Sequence, residues 1–135
     1  MNKMKHDHHS VSMCLDHLVF CPKYRGKVLI GRVPEQAKRI IHQVCEGLGV
    51  EIIRMAVGLE HVHIFYRYPP SLSLSYIAKM IKGVTSRRLR QRFPWLKTFC
   101  PDHLWAPSCF HGSVGNGWDV VEAYIKKQEG TCQPI

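Results

Sequence analysis

Long apolar runs and acidic residues are both scarce in this sequence. No stretch approaches the roughly 18 consecutive apolar residues that a membrane-spanning helix needs. The polar start, MNKMKHDHHS, lacks the apolar segment of a signal peptide. Only ten acidic residues accompany nineteen Lys and Arg residues, so the formal net charge is +9. We therefore expect a cytoplasmic protein whose partner is a polyanion.

Paired cysteine motifs are also missing. None of the six cysteines forms a C-x-x-C pair, which argues against a zinc knuckle or a thioredoxin-like redox motif. Several of them lie within apolar stretches, where cysteine behaves as a small hydrophobic residue. We expect reduced, structural thiols at Cys14, Cys21, Cys45, Cys100, Cys109 and Cys132.

The basic residues are concentrated between Lys79 and Lys97, where there are seven of them and no acidic residue. A solvated helix face usually mixes both signs, so a run of one sign favours a nucleic-acid partner over a merely solvated surface. Such a surface supplies affinity for phosphates but does not by itself read a base sequence.

The patterning of apolar residues predicts the order of the secondary structure. A first strand lies within residues 10–23, and a helix opened by Pro34 ends near Gly47 and Gly49. Two strands, 50–57 and 61–68, are close enough in sequence to form an antiparallel hairpin, with the second of them central in the sheet.

The second half of the chain continues this alternation. Ser71 or Ser73 caps a second helix that runs to Pro94, a bent or bulged strand region covers 98–114, and a final helix covers 118–129. The order β-α-β-β-α-β is that of the α+β, ferredoxin-like (RRM-like) antiparallel sheet with its helices on one face. At 135 residues we expect one domain, 1–135, with residues 1–10 as a mobile tail.

Two histidines, His61 and His63, stand two residues apart in the run LEHVHIFY. On a strand they share one face, roughly 6.5–7 Å apart, while the apolar residues between them face the other way. Their imidazoles can therefore converge on one cation. Nine histidines in 135 residues also make such a pair common by chance. The pair alone leaves open a metal site or two unrelated polar residues.

The predicted final helix places Tyr124 and Gln128 four residues apart, on one helical face. By position alone, a packed tyrosine and a surface amide are the commoner interpretation. Beside the histidine pair and the basic surface, the hydroxyl gains another meaning. A hydroxyl nucleophile, a divalent ion and a phosphate-binding surface are the groups that cleave a phosphodiester through a covalent phosphotyrosine.

Five blocks of the sequence, in order, resemble the small single-tyrosine transposases of the His-hydrophobe-His class, from insertion-sequence-200/605-type elements. The similar blocks are HHSVSMCLDHLVFCPKYRGKVL, GLEHVHIFYRYPP, IAKMIKGVTSRRLRQRFPWLK, LWAPSCFHGSVGN and VVEAYIKKQ. Five blocks in the same order are far more specific than any one of them.

The resemblance implies a role for each matching residue. His61, His63 and Gln128 would hold Mg²⁺ or Mn²⁺, and Tyr124 would be the nucleophile. The implied reaction cleaves and rejoins single-stranded DNA at hairpin-bearing element ends through a 5′-phosphotyrosine. Imidazole nitrogens alone suit zinc, nickel or copper better than magnesium, so oxygen ligands must come from Gln128, water and phosphate. The resemblance also implies a homodimer, in which the tyrosine helix of one subunit can complete the histidine site of the other.

Other assignments remain open from the sequence. Glu60 either orients a histidine or belongs to a turn. A non-catalytic hairpin-binding or single-strand-binding protein derived from such a transposase would look similar, and so would a metal-dependent nuclease that uses water. The candidate DNA contacts, each of which could equally be an ordinary exposed side chain, are Lys23, Tyr24, Arg25, Arg87, Arg88 and Arg90.

Overall fold

The structure, a computed structural model, describes residues 13–112. The N-terminal tail, Cys132 and the predicted final helix with Tyr124 and Gln128 lie outside the described residues. The elements in chain order are β1 (Cys14–Phe20), α1 (Val33–Leu48), β2 (Glu51–Val57), β3 (Val62–Tyr68), α2 (Leu74–Arg92), α3 (Trp95–Phe99) and β4 (Phe110–Gly112), with a 3₁₀ turn (Lys23–Arg25) after β1.

The described strands form an antiparallel sheet in the order β2-β3-β1-β4. β3 lies between β2 and β1 and pairs with β1 from one end to the other, Cys14 opposite Tyr68 and Phe20 opposite Val62. The α+β, ferredoxin-like fold predicted from the sequence is therefore confirmed, and so is the central position of the histidine strand.

Alternation along β3 separates a core face from a second face. Val62, Ile64 and Tyr66 are fully buried and belong to the same apolar cluster as residues of α1 and α2. Burying an aliphatic side chain of this size stabilises a fold by about 1.5–3 kcal/mol. The helices thus cover the even-numbered side of β3, and the odd-numbered side faces away from them.

The ends of the two long helices follow local chemistry that the sequence predicted. Pro34 lies in the first turn of α1, and Gly49 ends that helix with a left-handed φ of 76°, where glycine has no steric penalty. Of the two serines proposed as caps, Ser73 is the one used: its side-chain oxygen accepts from the backbone N–H of Tyr76 at 3.1 Å.

The region predicted as a bent or bulged strand, 98–114, is a strand only at Phe110–Gly112, and the rest of its described part is the end of α3 and a loop. Pro94 precedes α3, and the described chain between α3 and β4 is a loop with one isolated bridge from Trp105 to Pro22. The loop's polar groups find partners outside any sheet. The Lys82 ammonium donates to the carbonyls of Ala106 and Ser108, at 2.8 and 3.2 Å, and the Leu104 N–H donates to the Ser86 hydroxyl.

Two exclusions made from the sequence can be checked over residues 13–112. The five cysteines in this range, Cys14, Cys21, Cys45, Cys100 and Cys109, are free thiols, and burial raises the pKa of Cys45 to about 12. No helix in the same range is both long and apolar enough to cross a membrane.

Candidate metal centre and nucleic-acid interface

His61 and His63 lie on the same side of the sheet, opposite the helices. Their rings stack, with centroids 5.4 Å apart and planes inclined by 22°. Val62 between them is completely buried on the core side. The prediction that the two histidines share a face is thus confirmed, and the sheet turns them away from the helix layer. We call this side of β1 and β3 the histidine face.

A third histidine, His17 of β1, joins this face. Its ring centroid is 5.6 Å from that of His63, and it stacks on Phe65 at 3.9 Å. His17 could not be predicted from the sequence as a member of this face, because only the pairing of β1 with β3 brings it opposite Phe65. The sequence did indicate that His17 shares one face of the predicted first strand with Leu15 and Val19, since each lies two residues from it.

Burial keeps the imidazole of His63 uncharged. Desolvation, with smaller contributions from His61, His17 and Arg54, lowers the pKa of His63 to about 4. Burial also lowers the pKa of His17, against the opposing charge of Asp16. Because only a neutral imidazole has a lone pair to donate, His63 can ligate a cation at neutral pH without first losing a proton.

The histidine pair fits a divalent cation as a partial donor set. It supplies two nitrogens on one face, next to a cavity of about 240 Å³ whose walls include His63, Phe65 and Arg54. Within residues 13–112 no group of three or more His, Cys, Asp or Glu side chains is arranged to hold a metal ion. A cation held here would need further ligands, and an amide, water or phosphate would supply the oxygens that magnesium or manganese prefers.

Glu60 lies directly beside the histidine pair. One carboxylate oxygen, Oε1, is 3.4 Å from Nδ1 of His61, and the other, Oε2, is 3.5 Å from Nη2 of Arg25. Glu60 also belongs to the turn between β2 and β3, which is closed by a hydrogen bond from the Gly58 N–H to the His61 carbonyl at 2.8 Å. Of the two roles open from the sequence, the structure therefore shows a turn residue that also contacts a histidine.

The predicted DNA contacts in the turn after β1 fall into two kinds. Tyr24 is exposed, with 43% of its surface accessible, and the Lys23 ammonium lies 5.7 Å from the centre of its ring. Arg25 instead turns inward to Glu60, and only 17% of its side chain is accessible. Lys23 and Tyr24 can thus meet a ligand from solvent, whereas Arg25 already has an internal partner.

The candidates on α2 also differ from one another. Arg87 is exposed. Arg88 is exposed as well, and its Nη1 donates to the side-chain oxygen of Gln43 on α1 at 2.9 Å. Arg90 donates to the carbonyls of Ser86 and Pro101, at 3.2 and 2.8 Å, so part of its role is to hold the loop that follows α3.

The loop around residues 99–104 brings two of these groups together. The Tyr24 ring lies edge-on to Phe99 at 6.2 Å, and the Lys23 N–H donates to the Leu104 carbonyl at 2.8 Å. Since Arg90 binds Pro101 in the same loop, the turn that carries Lys23 and the exposed Tyr24 contacts the same loop as the end of α2.

A second polar cluster, which the sequence analysis also missed, lies on the core side of the sheet. Asp16 accepts hydrogen bonds from the Tyr66 hydroxyl at 2.5 Å and from Nδ1 of His111 at 2.7 Å. Although burial opposes it, hydrogen bonding to Asp16 and Cys109 raises the pKa of His111 to about 9. His111 pairs with Leu18 and so faces the core, which separates this cluster from the histidine face.

Comparison with known proteins places this geometry in a family. Residues 10–128 match the protein family described as IS200-like transposases. The ISDra2 transposase TnpA of Deinococcus radiodurans is 33% identical over 114 residues, covering 83% of this chain and 81% of the relative. The IS200 transposase of Salmonella typhimurium is 29% identical over 116 residues, covering 85% of this chain and 76% of that protein.

Solved structures agree with the sequence comparison. A crystal structure described as that of a transposase from Deinococcus radiodurans superimposes with a TM-score of 0.85 at 28% identity, covering 93% of this chain and 98% of the other. A REP-associated tyrosine transposase bound to a REP hairpin shares the fold, with a TM-score of 0.56 at 16% identity, over 96% of this chain and 74% of the other. The chain therefore belongs to the family of IS200-like transposases.

Proposed function

We propose that this transposase cleaves and rejoins single-stranded DNA at the ends of its insertion sequence through a 5′-phosphotyrosine intermediate. The observation that carries the proposal is the placement of His61 and His63 side by side on the histidine face, in a chain of this family. Two adjacent imidazoles on one face offer two nitrogen donors to a divalent cation, which a metal-dependent reaction of this kind would use.

His61 and His63, with Gln128 as a third protein ligand, would hold Mg²⁺ or Mn²⁺. When bound, the ion supplies Lewis-acid polarisation of the scissile phosphate and stabilises negative charge on the leaving 3′ oxygen. His17 stacks on Phe65 and its ring lies 5.6 Å from that of His63, and these contacts would help to orient the His63 ring as a ligand.

Tyr124 is the nucleophile in this proposal. Its phenol oxygen attacks phosphorus, the bond from phosphorus to the 3′ oxygen breaks, and the phenol proton leaves while the 3′ oxygen becomes a hydroxyl. A tyrosine with an ordinary pKa of about 10 is protonated at neutral pH, so this proton must leave at or before the attack. A second DNA 3′-OH then attacks the phosphotyrosine and regenerates Tyr124. One phosphodiester replaces another, so neither ATP nor water is consumed.

The DNA partner in this proposal is a single strand that folds into a hairpin near the element end. Support comes from the net charge of +9 and from the exposed Tyr24 with the Lys23 ammonium near its ring. An exposed aromatic ring next to an ammonium group suits an unpaired base followed by its phosphate. The REP-associated relative, which shares the fold, is itself bound to a hairpin. We further propose a homodimer with composite sites.

The test is a denaturing gel of the protein mixed with labelled single strands that span each end of its element, with Mn²⁺ or Mg²⁺. We expect a slower band that survives SDS, requires the metal, and disappears in Tyr124→Phe but not in Tyr76→Phe, which alters an exposed tyrosine of α2. Cleavage without an adduct in Tyr124→Phe would identify a nuclease that uses water. Tight retention without cleavage would identify a binding protein.

Mixing two inactive variants tests the composite site. His63→Ala and Tyr124→Phe chains are dissociated and reassembled together to give heterodimers. If the tyrosine acts across the dimer, one of the two sites combines an intact histidine pair with an intact tyrosine. If it acts within its own subunit, neither site does. Recovery of the adduct in the mixture supports action in trans. A mixture as inactive as its components contradicts it.

A further inference from the structure

The carboxylate of Glu60 divides its two oxygens between two partners. Oε1 is 3.4 Å from Nδ1 of His61, and Oε2 is 3.5 Å from Nη2 of Arg25. The side chains are 19% accessible for Glu60, 25% for His61 and 17% for Arg25. Interactions among groups so little exposed are screened less than those on an open surface. The three residues therefore form a connected series that ends on a histidine.

The contact with Glu60 determines which nitrogen of His61 is available. The contact is one of charge and not a hydrogen bond, since Nδ1 of His61 is buried without a hydrogen-bond partner. The negative charge of the carboxylate beside it favours Nδ1 as the protonated nitrogen, which leaves the lone pair on Nε2. Histidines that bind metals commonly present one nitrogen to the ion and the other to a carboxylate, which holds the ring in orientation. Glu60 occupies that second place relative to His61.

Gly58 confines the same ring from another side. A Cβ atom at position 58 would lie 2.7 Å from Cε1 and 3.1 Å from Nδ1 of His61, closer than side-chain atoms approach. The His61 ring thus packs directly against the Gly58 backbone. Its orientation is limited by space as well as by charge.

The backbone that carries Arg25 adopts an unfavourable conformation. Tyr24 and Arg25 both have left-handed φ angles, 59° and 52°, which side chains other than glycine and asparagine rarely adopt. The turn is closed by hydrogen bonds from the Arg25 N–H to Pro22 and from the Gly26 N–H to Lys23, and the Phe99 ring packs against Gly26. Such strain persists where the surrounding structure requires it, and here the result is a guanidinium placed on Glu60.

We propose that Arg25 and Glu60 are positioning residues that hold the His61 ring with its Nε2 atom directed at the divalent cation. Arg25 fixes the carboxylate, and the carboxylate fixes the imidazole. This inference rests on the proposed function in one respect, that His61 is a ligand. It also assigns Arg25 a role in the site, where the sequence suggested a DNA contact.

The first test is Mn²⁺ binding to the full chain by calorimetry, with His61→Ala defining the background from the other histidines. Glu60→Gln removes the charge at constant shape, and Arg25→Asn removes the guanidinium with a residue that tolerates a left-handed φ. We expect about tenfold or greater weakening in Glu60→Gln, the range seen when a carboxylate that supports a ligating histidine is lost, and a smaller weakening in Arg25→Asn. Unchanged affinity in Glu60→Gln overturns the proposal.

The matched control is Glu51→Gln. Glu51 also pairs with an arginine, Arg67, at 3.4 Å against 3.5 Å for Glu60 and Arg25, at the other end of the β2–β3 hairpin. It is more exposed, 64% accessible, and does not contact His61. Its substitution should leave Mn²⁺ affinity unchanged. Equal weakening in Glu51→Gln and Glu60→Gln would show a general effect of surface charge and would overturn the positioning role. Thermal unfolding of each variant establishes that it is folded.

The second test reads the His61 ring without metal or DNA. Long-range ¹H–¹⁵N NMR spectra distinguish a proton on Nδ1 from one on Nε2, and we expect Nδ1–H in the parent chain and a changed tautomer population in Glu60→Gln. A proton on Nε2 in the parent chain overturns the proposal. Because this measurement involves no DNA cleavage, failure of the phosphotyrosine assay with Nδ1–H intact would count against the proposed function and leave the positioning role supported.

Discussion

The ion pair between His111 and Asp16 should make the stability of this fold depend on pH in a defined direction. The pKa of His111 is raised to about 9 in the folded chain, against an ordinary value of 6.5 when unfolded. The folded state therefore holds this proton more tightly than the unfolded state. Its stabilising effect is complete below about pH 6.5, falls as the pH rises, and is absent above about pH 9.

The size of this effect follows from the same two values. A tenfold change in proton affinity corresponds to about 1.36 kcal/mol, so the upper bound is about 3 kcal/mol. Since the His111 side chain is 23% accessible and solvent screens part of the interaction, we expect about 2 kcal/mol.

The contribution of His111 to stability can be measured by urea unfolding of the parent chain and of His111→Gln at several pH values between 6 and 10. The difference in unfolding free energy should shrink by about 2 kcal/mol across this range, because other titrating groups cancel between the two chains. His42→Gln, which alters an exposed histidine of α1, is the control and should show no such trend. A His111→Gln difference that stays constant or grows with pH would refute the reasoning.

Three further substitutions test other parts of the structure. Gly58→Ala should weaken Mn²⁺ binding by about tenfold while changing the unfolding free energy by less than about 1 kcal/mol, because the new methyl group displaces the His61 ring; calorimetry and urea unfolding report the two effects. Thr85→Val leaves the indole N–H of Trp105 without its 2.8 Å acceptor and should cost about 1–3 kcal/mol in urea unfolding, whereas Thr85→Ser should restore most of it. Ile64→Ala should cost about 2–5 kcal/mol in the same assay, since the fully buried side chain leaves a cavity; a loss below about 1 kcal/mol would contradict the assigned core.

The parts of this fold that were predictable are those set by neighbours in sequence. Alternation placed His61, the residue just before β3, and His63 within it on one face, because that depends only on neighbouring residues. The cap at Ser73 and the helix end at Gly49 depend on one turn of chain, and both were anticipated. The order of these elements was enough to indicate the ferredoxin-like sheet.

The parts that were missed depend on contacts between distant segments. Asp16 forms hydrogen bonds with Tyr66 and His111, which are 50 and 95 residues away in the sequence, and no local pattern predicts either bond. The strand predicted over 98–114 was too long because the carbonyls of Ala106 and Ser108 bind Lys82 of α2, an interaction that apolar patterning cannot reveal. Lys82 and Arg90 also show that a basic run read as a ligand surface partly serves the fold.

The two-sided character of β3 has an evolutionary consequence. Mutations at its even-numbered positions change folding stability and are removed by selection whatever the protein does, whereas mutations at His61 or His63 act on the histidine face and spare the apolar cluster beneath it. Chemistry and architecture on this strand can therefore drift independently.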